Sequence, residues 1–190
     1  MQVSDDILVT PGMQEYIQRN KEYLARRSEY IRKVVKKWKF DTVAVHGLYS
    51  VQEAIEDYQG SIIEPIFMSS SQAYRDSDEM AAALAYLIPT WCYSRIANPS
   101  TYYYEWTLAL LEGYGFDGET SACSTSSGMA AIMTAVQPFL MHIRHDPGER
   151  RNFLATAQCY GGTFQQFSVR LAQERDIACR WIQDPTRVYE

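Results

Sequence analysis

The sequence predicts an α/β fold with a mostly parallel sheet, entered through a long helical arm. Two observations carry this. From residue 121 onward, short apolar runs alternate with helical stretches in the order strand, helix, strand, helix, strand, the pattern of a parallel sheet with crossover helices. Before that, Tyr16, Ile17, Tyr23, Leu24, Tyr30, Ile31 and Trp38 recur at seven-residue steps, as one apolar stripe of an amphipathic helix does.

The arm, residues 1–39, opens at Thr10-Pro11, a cap followed by a first-turn proline, and runs to Trp38 with one break. Val34 and Val35 fill the apolar stripe, while Arg26, Arg27, Lys33, Lys36 and Lys37 fall mostly elsewhere. The stripe has to be covered, either by its own domain or by a partner chain. Residues 40–100 read as an extended segment that wraps a surface, from Phe40 to Ser71, and then a loop. Between these, Ser77 is expected to cap a helix over Asp78–Ile88, with Pro89 as the stop. The loop spans Trp91 to Ser100, and Asn98-Pro99 reads as an extended turn within it.

Residues 101–190 are the first part of the α/β domain, beginning with a helix over Thr101–Glu112 that Gly113 ends. Strands are expected at Ser121–Thr125, Asn152–Ala157 and Ile177–Ile182, with helices at Gly128–Val136, stopped before Pro138, and at Thr163–Arg175. Three strands make a small parallel sheet, which leaves open edges and uncovered apolar faces and so favours obligate association.

Composition narrows the class. With 46% apolar and 13% aromatic residues in 190, a packed core is within reach. The longest apolar run, Met80 to Ile88, falls far short of the roughly 20 residues of a membrane span. The start, with Asp5 and Asp6, does not read as a secretory signal, so a cytoplasmic location away from membranes is expected. Cys92, Cys123, Cys159 and Cys179 form no close pair and read as reduced, mostly buried thiols. His46, His142 and His145 lack the cysteine neighbours of a metal centre, so no metal is expected. Residues 1–39 carry nine Lys or Arg against five acids, and residues 40–190 nine Arg against eighteen. The basic charges of the arm are interleaved with acids and large apolar residues, which reads as a solvated helix face and not as a nucleic-acid surface.

Chemistry concentrates in three segments. Ser126-Ser127-Gly128-Met129 lies where a strand passes into a helix, so free first-turn amides face outward, the serines add donors, and Gly128 leaves room for an anion such as phosphate. Arg95 can grip two phosphate oxygens, with Tyr93 two residues earlier directed the same way in an extended loop. Tyr160-Gly161-Gly162-Thr163 marks a second strand-to-helix passage, where Tyr160 can stack on a ligand ring and take part in proton transfer. Each segment alone is equally a helix cap, a surface arginine beside a packing tyrosine, or an ordinary turn. Together they make a phosphate cradle and a ring platform, as a pyridoxal 5'-phosphate site requires. Yet no lysine occurs from Phe40 to Glu190, and that cofactor is normally held as a Schiff base on lysine.

In this order and spacing, Tyr93-Ser94-Arg95-Ile96-Ala97-Asn98-Pro99, Ser126-Ser127-Gly128-Met129-Ala130-Ala131 and Tyr160-Gly161-Gly162-Thr163 resemble the Cys/Met metabolism family of pyridoxal-phosphate enzymes. That family includes cystathionine γ-synthases, cystathionine lyases, methionine γ-lyases and O-acetylhomoserine sulfhydrylases. Phe40-Asp41-Thr42, His46-Gly47, Pro65-Ile66 and Leu110-Leu111-Glu112-Gly113 add to the likeness, which covers about Phe40 to Pro185 and leaves out the arm.

The resemblance implies the N-terminal part of a fold-type I, aminotransferase-like enzyme that works as an oligomer with shared active sites. It implies that Tyr93 and Arg95 bind the cofactor phosphate of a neighbouring subunit. Ser127, Gly128 and Met129 would bind it within the same subunit, Gly128 and Met129 through their backbone amides, and Tyr160 would stack on the ring. The family's aspartate for the ring nitrogen, its lysine and its arginine for the substrate carboxylate have no counterpart here. Lys21, Lys33, Lys36, Lys37 and Lys39 all precede the motifs.

The expectation is therefore an enzyme of sulfur amino-acid metabolism, eliminating at the β- or γ-carbon or replacing at the γ-carbon of cystathionine, an acyl-homoserine or a related amino acid. It would not be competent alone, because a complementary C-terminal chain must bring the lysine. Glycine at 162, where methionine γ-lyases have cysteine, argues against that specificity. Two other readings remain open, a non-catalytic regulatory subunit that retains the phosphate cradle and a general phosphate-ligand domain.

Overall fold

The computed structural model describes residues 9–140, 151–184 and 186. The chain divides into two compact units, Met1–Cys123 and Ser124–Glu190.

The first unit is helical. Helix α1, Pro11–Lys33, starts as expected, with the Thr10 hydroxyl accepting from the Met13 amide at 3.2 Å. It breaks at Val34 and resumes as a short 3-10 turn, Val35–Lys37. The apolar stripe is covered within its own unit. Tyr16 packs with Ala82, Ala83, Ile88 and Cys92, and Ile31 and Val35 pack with Val43, Leu48, Tyr103 and Leu110. The Thr10 hydroxyl also donates to Asp78 Oδ2 at 2.7 Å, and a Cβ at Gly12 would collide with that carboxylate, so glycine there permits the close approach.

Residues 40–57, expected to be extended, instead form helix α2, Phe40–His46, and helix α3, Val51–Asp57. The signal passed over was Ser50 three residues before Glu53: the Ser50 hydroxyl accepts from the Glu53 amide at 3.0 Å and starts α3. Helix α4, Ser77–Leu84, is capped by Asp76 rather than Ser77, its carboxylate accepting from the Glu79 amide at 2.9 Å. It also ends four residues short of Ile88, because Tyr86 turns into the left-handed region at φ 53°. Helix α5, Pro99–Glu112, starts two residues earlier than expected. Asn98-Pro99 is thus a helix start and no extended turn: Asn98 Oδ1 accepts from the Ser100 amide at 2.9 Å and Pro99 occupies the first turn.

A charged cluster is buried where α1, α3 and α5 meet. Arg27 Nη2 donates to Glu53 Oε1 at 3.0 Å, and the Tyr103 hydroxyl donates to the same oxygen. The Arg27 guanidinium lies over the rings of Tyr102 and Tyr103 at 4.7 and 4.8 Å from their centroids. Burial, reinforced by the bond to Glu53, pushes the Tyr103 phenol well above its ordinary pKa. These groups hold helices together across long stretches of sequence.

The second unit holds helix α6, Gly128–Leu140, strand β1, Asn152–Thr156, helix α7, Gly161–Gln165, and strand β2, Ala178–Ile182. The strands pair in parallel, Asn152 opposite Ala178 through Thr156 opposite Ile182, so the strand, helix, strand order expected over 152–182 stands. Helix α7 passes directly into a π-helical stretch, Gln166–Gln173, which widens the turn and still turns Phe167 and Leu171 inward. Leu140, Phe167, Leu171 and Ile177 are the core, flanked by Phe153 and Trp181.

Four expectations change here. Ser121–Thr125 is not a strand, so the described sheet has two strands instead of three; this run of small, largely polar side chains buries little apolar surface. Helix α6 does not stop at Val136 but continues through Pro138 to Leu140, although proline removes one helical hydrogen bond. The Arg151 side chain satisfies the Leu140 carbonyl at 2.8 Å at its far end. The helix expected from Thr163 starts at Gly161, with Tyr160 as its cap residue. None of the four cysteines is in a disulfide, and only Cys92 is buried, contrary to the expectation of mostly buried thiols. His142 and His145 lie outside the described residues.

Candidate functional site

The sequence-derived candidates form one set in each unit. In the first unit, Tyr93 makes an antiparallel bridge with Ser71, and Tyr93 to Ala97 form a tight turn in which the Ile96 and Ala97 amides donate to the Tyr93 carbonyl at 2.8 and 3.0 Å. The serine triplet fastens this turn: the Ser94 amide donates to the Ser70 carbonyl at 2.9 Å and the Ser94 hydroxyl to the Ser69 carbonyl. Buried Asn98 braces it from the helix side, its side-chain amide donating to the Phe67 carbonyl at 3.0 Å and to Ser94 Oγ at 2.9 Å. The loop is therefore preset by hydrogen bonds, and Arg95 and Tyr93 both stay exposed on it. The Arg95 guanidinium lies 5.2 Å from the Tyr93 ring centroid, and no carboxylate among the described residues forms an ion pair with it. A cation stacked on an aromatic face and free of acids suits an incoming anion.

In the second unit, the start of α6 and the start of α7 come together. The Ser127 hydroxyl accepts from the Ala130 amide at 3.2 Å, so it caps α6, and the Ser127 carbonyl accepts from the Thr125 hydroxyl at 2.9 Å. The bond from the Ala130 amide uses a lone pair of Ser127 Oγ and leaves its proton available to donate. A Cβ built on Gly128 would meet nothing within 4 Å, so open space lies at the helix start, where unbonded amides and the helix dipole favour an anion. Tyr160, at the start of α7, is 76% exposed. It is not a core tyrosine, and its ring is accessible for stacking.

The sequence reading missed the link between these two helix starts. Thr163, buried, donates its hydroxyl to Met129 Sδ at 3.4 Å. The Tyr160 ring and the same sulfur both flank Gly162. No local signal announces that contact, because its partners are 34 residues apart.

Known proteins point the same way. The family of Cys/Met metabolism PLP-dependent enzymes matches residues 41–187. The chain belongs to this family. The chain is 36% identical over 130 residues to homocysteine/cysteine synthase of Kluyveromyces lactis, which covers 68% of this chain and 26% of that protein. It is 30% identical over 132 residues to O-succinylhomoserine sulfhydrylase of Pseudomonas aeruginosa, covering 70% and 30%. It is 34% identical over 97 residues to L-methionine gamma-lyase of Porphyromonas gingivalis, covering 51% and 22%. The chain thus spans less than a third of the length of these relatives.

Family members depend on pyridoxal phosphate and have the fold-type I architecture, and the parallel strand pair with its helices is consistent with part of such an α/β domain. The residues present fit that cofactor. The open space at Gly128 and the exposed Tyr160 ring in one unit, and the acid-free Arg95 in the other, are the features that a phosphate and a flat ring demand.

Proposed function

We propose that this chain provides the phosphate-and-ring portion of the pyridoxal 5'-phosphate site in a cytoplasmic enzyme of sulfur amino-acid metabolism. The carrying observation is the uncrowded start of α6 at Gly128, with Met129 at that start linked through Thr163 to the turn that presents the Tyr160 ring. Backbone amides of Gly128 and Met129, with the Ser127 hydroxyl, would bind phosphate, and Tyr93 and Arg95 would bind the phosphate of a neighbouring copy's site. Tyr160 would hold the ring plane and move a proton at its phenol oxygen. Bound there, the cofactor supplies an electron sink for charge developing at the substrate α-carbon. The names of the relatives, a homocysteine/cysteine synthase and a sulfhydrylase, support replacement at the γ-carbon of an acyl-homoserine over elimination.

The lysine for the cofactor aldehyde comes from outside residues 40–190, where lysine does not occur. A complementary C-terminal chain or segment carries it, so the chain is not competent by itself. The test uses 4'-deoxypyridoxine 5'-phosphate, a ring and phosphate without the aldehyde, which needs no lysine to bind. The full chain is expected to bind it, and Tyr160→Ala to weaken binding by about tenfold, the worth of one ring contact. An absence of binding, together with no borohydride-sensitive visible absorbance in oligomers purified with the lysine-bearing part, would overturn the reading. Binding without turnover in that assembly would support the regulatory alternative.

A further inference from the structure

At the start of α7, Thr163 is 6% exposed and its hydroxyl points at the Met129 sulfur, 3.4 Å away. A Cβ at Gly162 would lie 2.8 Å from Tyr160 Cε1, 3.2 Å from Cδ1 and 3.6 Å from Met129 Sδ. The Tyr160 ring thus lies against the backbone of its own turn, and the space beside Gly162 is shared between that ring and a thioether. Most of Tyr160 is open to solvent, and no ring pairing with another aromatic residue holds it among the described residues. A methionine side chain has three rotatable bonds and adapts readily, so it supports a neighbour only if something fixes it. The buried Thr163 hydroxyl is the group that does so.

We infer that Thr163 is a positioning residue: by holding the Met129 thioether beside Gly162, it sets where the Tyr160 ring sits relative to the start of α6. The inference rests on the reading of Tyr160 as the cofactor's ring platform. It adds a buried side chain that touches neither ring nor phosphate. Without the hydroxyl, Met129 samples other rotamers and the exposed ring loses its fixed position.

Three variants test it. Thr163→Val keeps the shape and removes the donor, Thr163→Ser keeps the donor, and Met129→Leu removes the acceptor at nearly constant volume. In the full chain without ligand, the Met129 methyl signal and the Tyr160 ring signals are read by NMR, and affinity for 4'-deoxypyridoxine 5'-phosphate is measured alongside. Thr163→Val is expected to move both sets of signals and weaken the probe by about threefold to tenfold, the worth of one hydrogen bond. Thr163→Ser should keep the signals and stay within about twofold of the parent. Met129→Leu should move the Tyr160 signals in the same direction as Thr163→Val, which provides a second route should the valine variant not fold.

Unmoved Tyr160 signals in Thr163→Val and Met129→Leu would overturn the inference, as would equal losses in the valine and serine variants. Moved signals in a chain that binds no probe would leave the positioning role standing and sink the cofactor reading. Unchanged probe affinity in Thr163→Val, where Tyr160→Ala weakens it, would do the reverse.

Discussion

The two units are held together by different forces. In Met1–Cys123 the buried set includes charge: Arg27, Glu53 and Glu79 lie beneath the surface alongside the aliphatic and aromatic core. Among the described residues of Ser124–Glu190 the buried ones are Leu140, Phe167, Leu171 and Ile177 together with Thr163, and none of them is charged. The first unit therefore depends on a few directional ties between distant helices, whereas the second depends on a small apolar centre under two strands. Leu154, on β1, remains 49% exposed. A small core is the weaker device, so the second unit should open at lower denaturant concentration.

Tryptophan reports on the units separately, because Trp38, Trp91 and Trp106 lie in the first and Trp181 in the second. With 5-fluorotryptophan in all four positions, urea unfolding can be followed in each unit. The largest effect is expected from Glu53→Ala, which strands the Arg27 guanidinium and the Tyr103 hydroxyl in a buried place. A loss of about 4 kcal/mol is expected at Trp38, Trp91 and Trp106, as for other broken buried ion pairs. If Trp181 shifts equally, the units unfold as one and the comparison breaks.

Next comes Leu171→Ala, which empties a fully buried site at the centre of the second unit. About 3 kcal/mol should be lost at Trp181, with the first unit's signals unmoved. The two substitutions together should add, since they lie in separate units.

The smallest effect is a pH dependence confined to the first unit. Burial alone would raise the Glu79 carboxyl, but hydrogen bonds from the Arg19 side chain and the Arg75 amide outweigh it and hold it below its ordinary value of 4.5. A carboxyl depressed in the folded state stabilises fully above that ordinary value and loses its contribution as pH falls through the folded value. Arg19 is partly exposed, so solvent screening limits this to about 0.5 kcal/mol. Urea midpoints for Trp38, Trp91 and Trp106 should fall more steeply below pH 4.5 in the parent than in Glu79→Gln, and equal slopes would remove Glu79 from the account.

Each motif that carries the family likeness was legible because its chemistry is local. A cap such as Thr10 is read within a single turn, and a glycine at a helix start, such as Gly128 or Gly161, within a few residues. Such signals also misled where two neighbours competed for one role. Asp76 took the cap from Ser77 because its carboxylate reaches the Glu79 amide, and Asn98 turned a supposed loop into the first turn of α5.

By itself, then, the sequence determined the parallel strand pair, the break in the arm and the family, and it supplied the residues proposed for phosphate and ring. Only the tertiary structure decided that the arm's stripe is covered within its own unit, that the Glu53 carboxylate turns to Arg27 across 26 residues, and that Thr163 holds Met129 across 34. The physical reason is range: capping and turn chemistry act between neighbours, whereas burial and the pairing of buried polar groups depend on which distant segments meet.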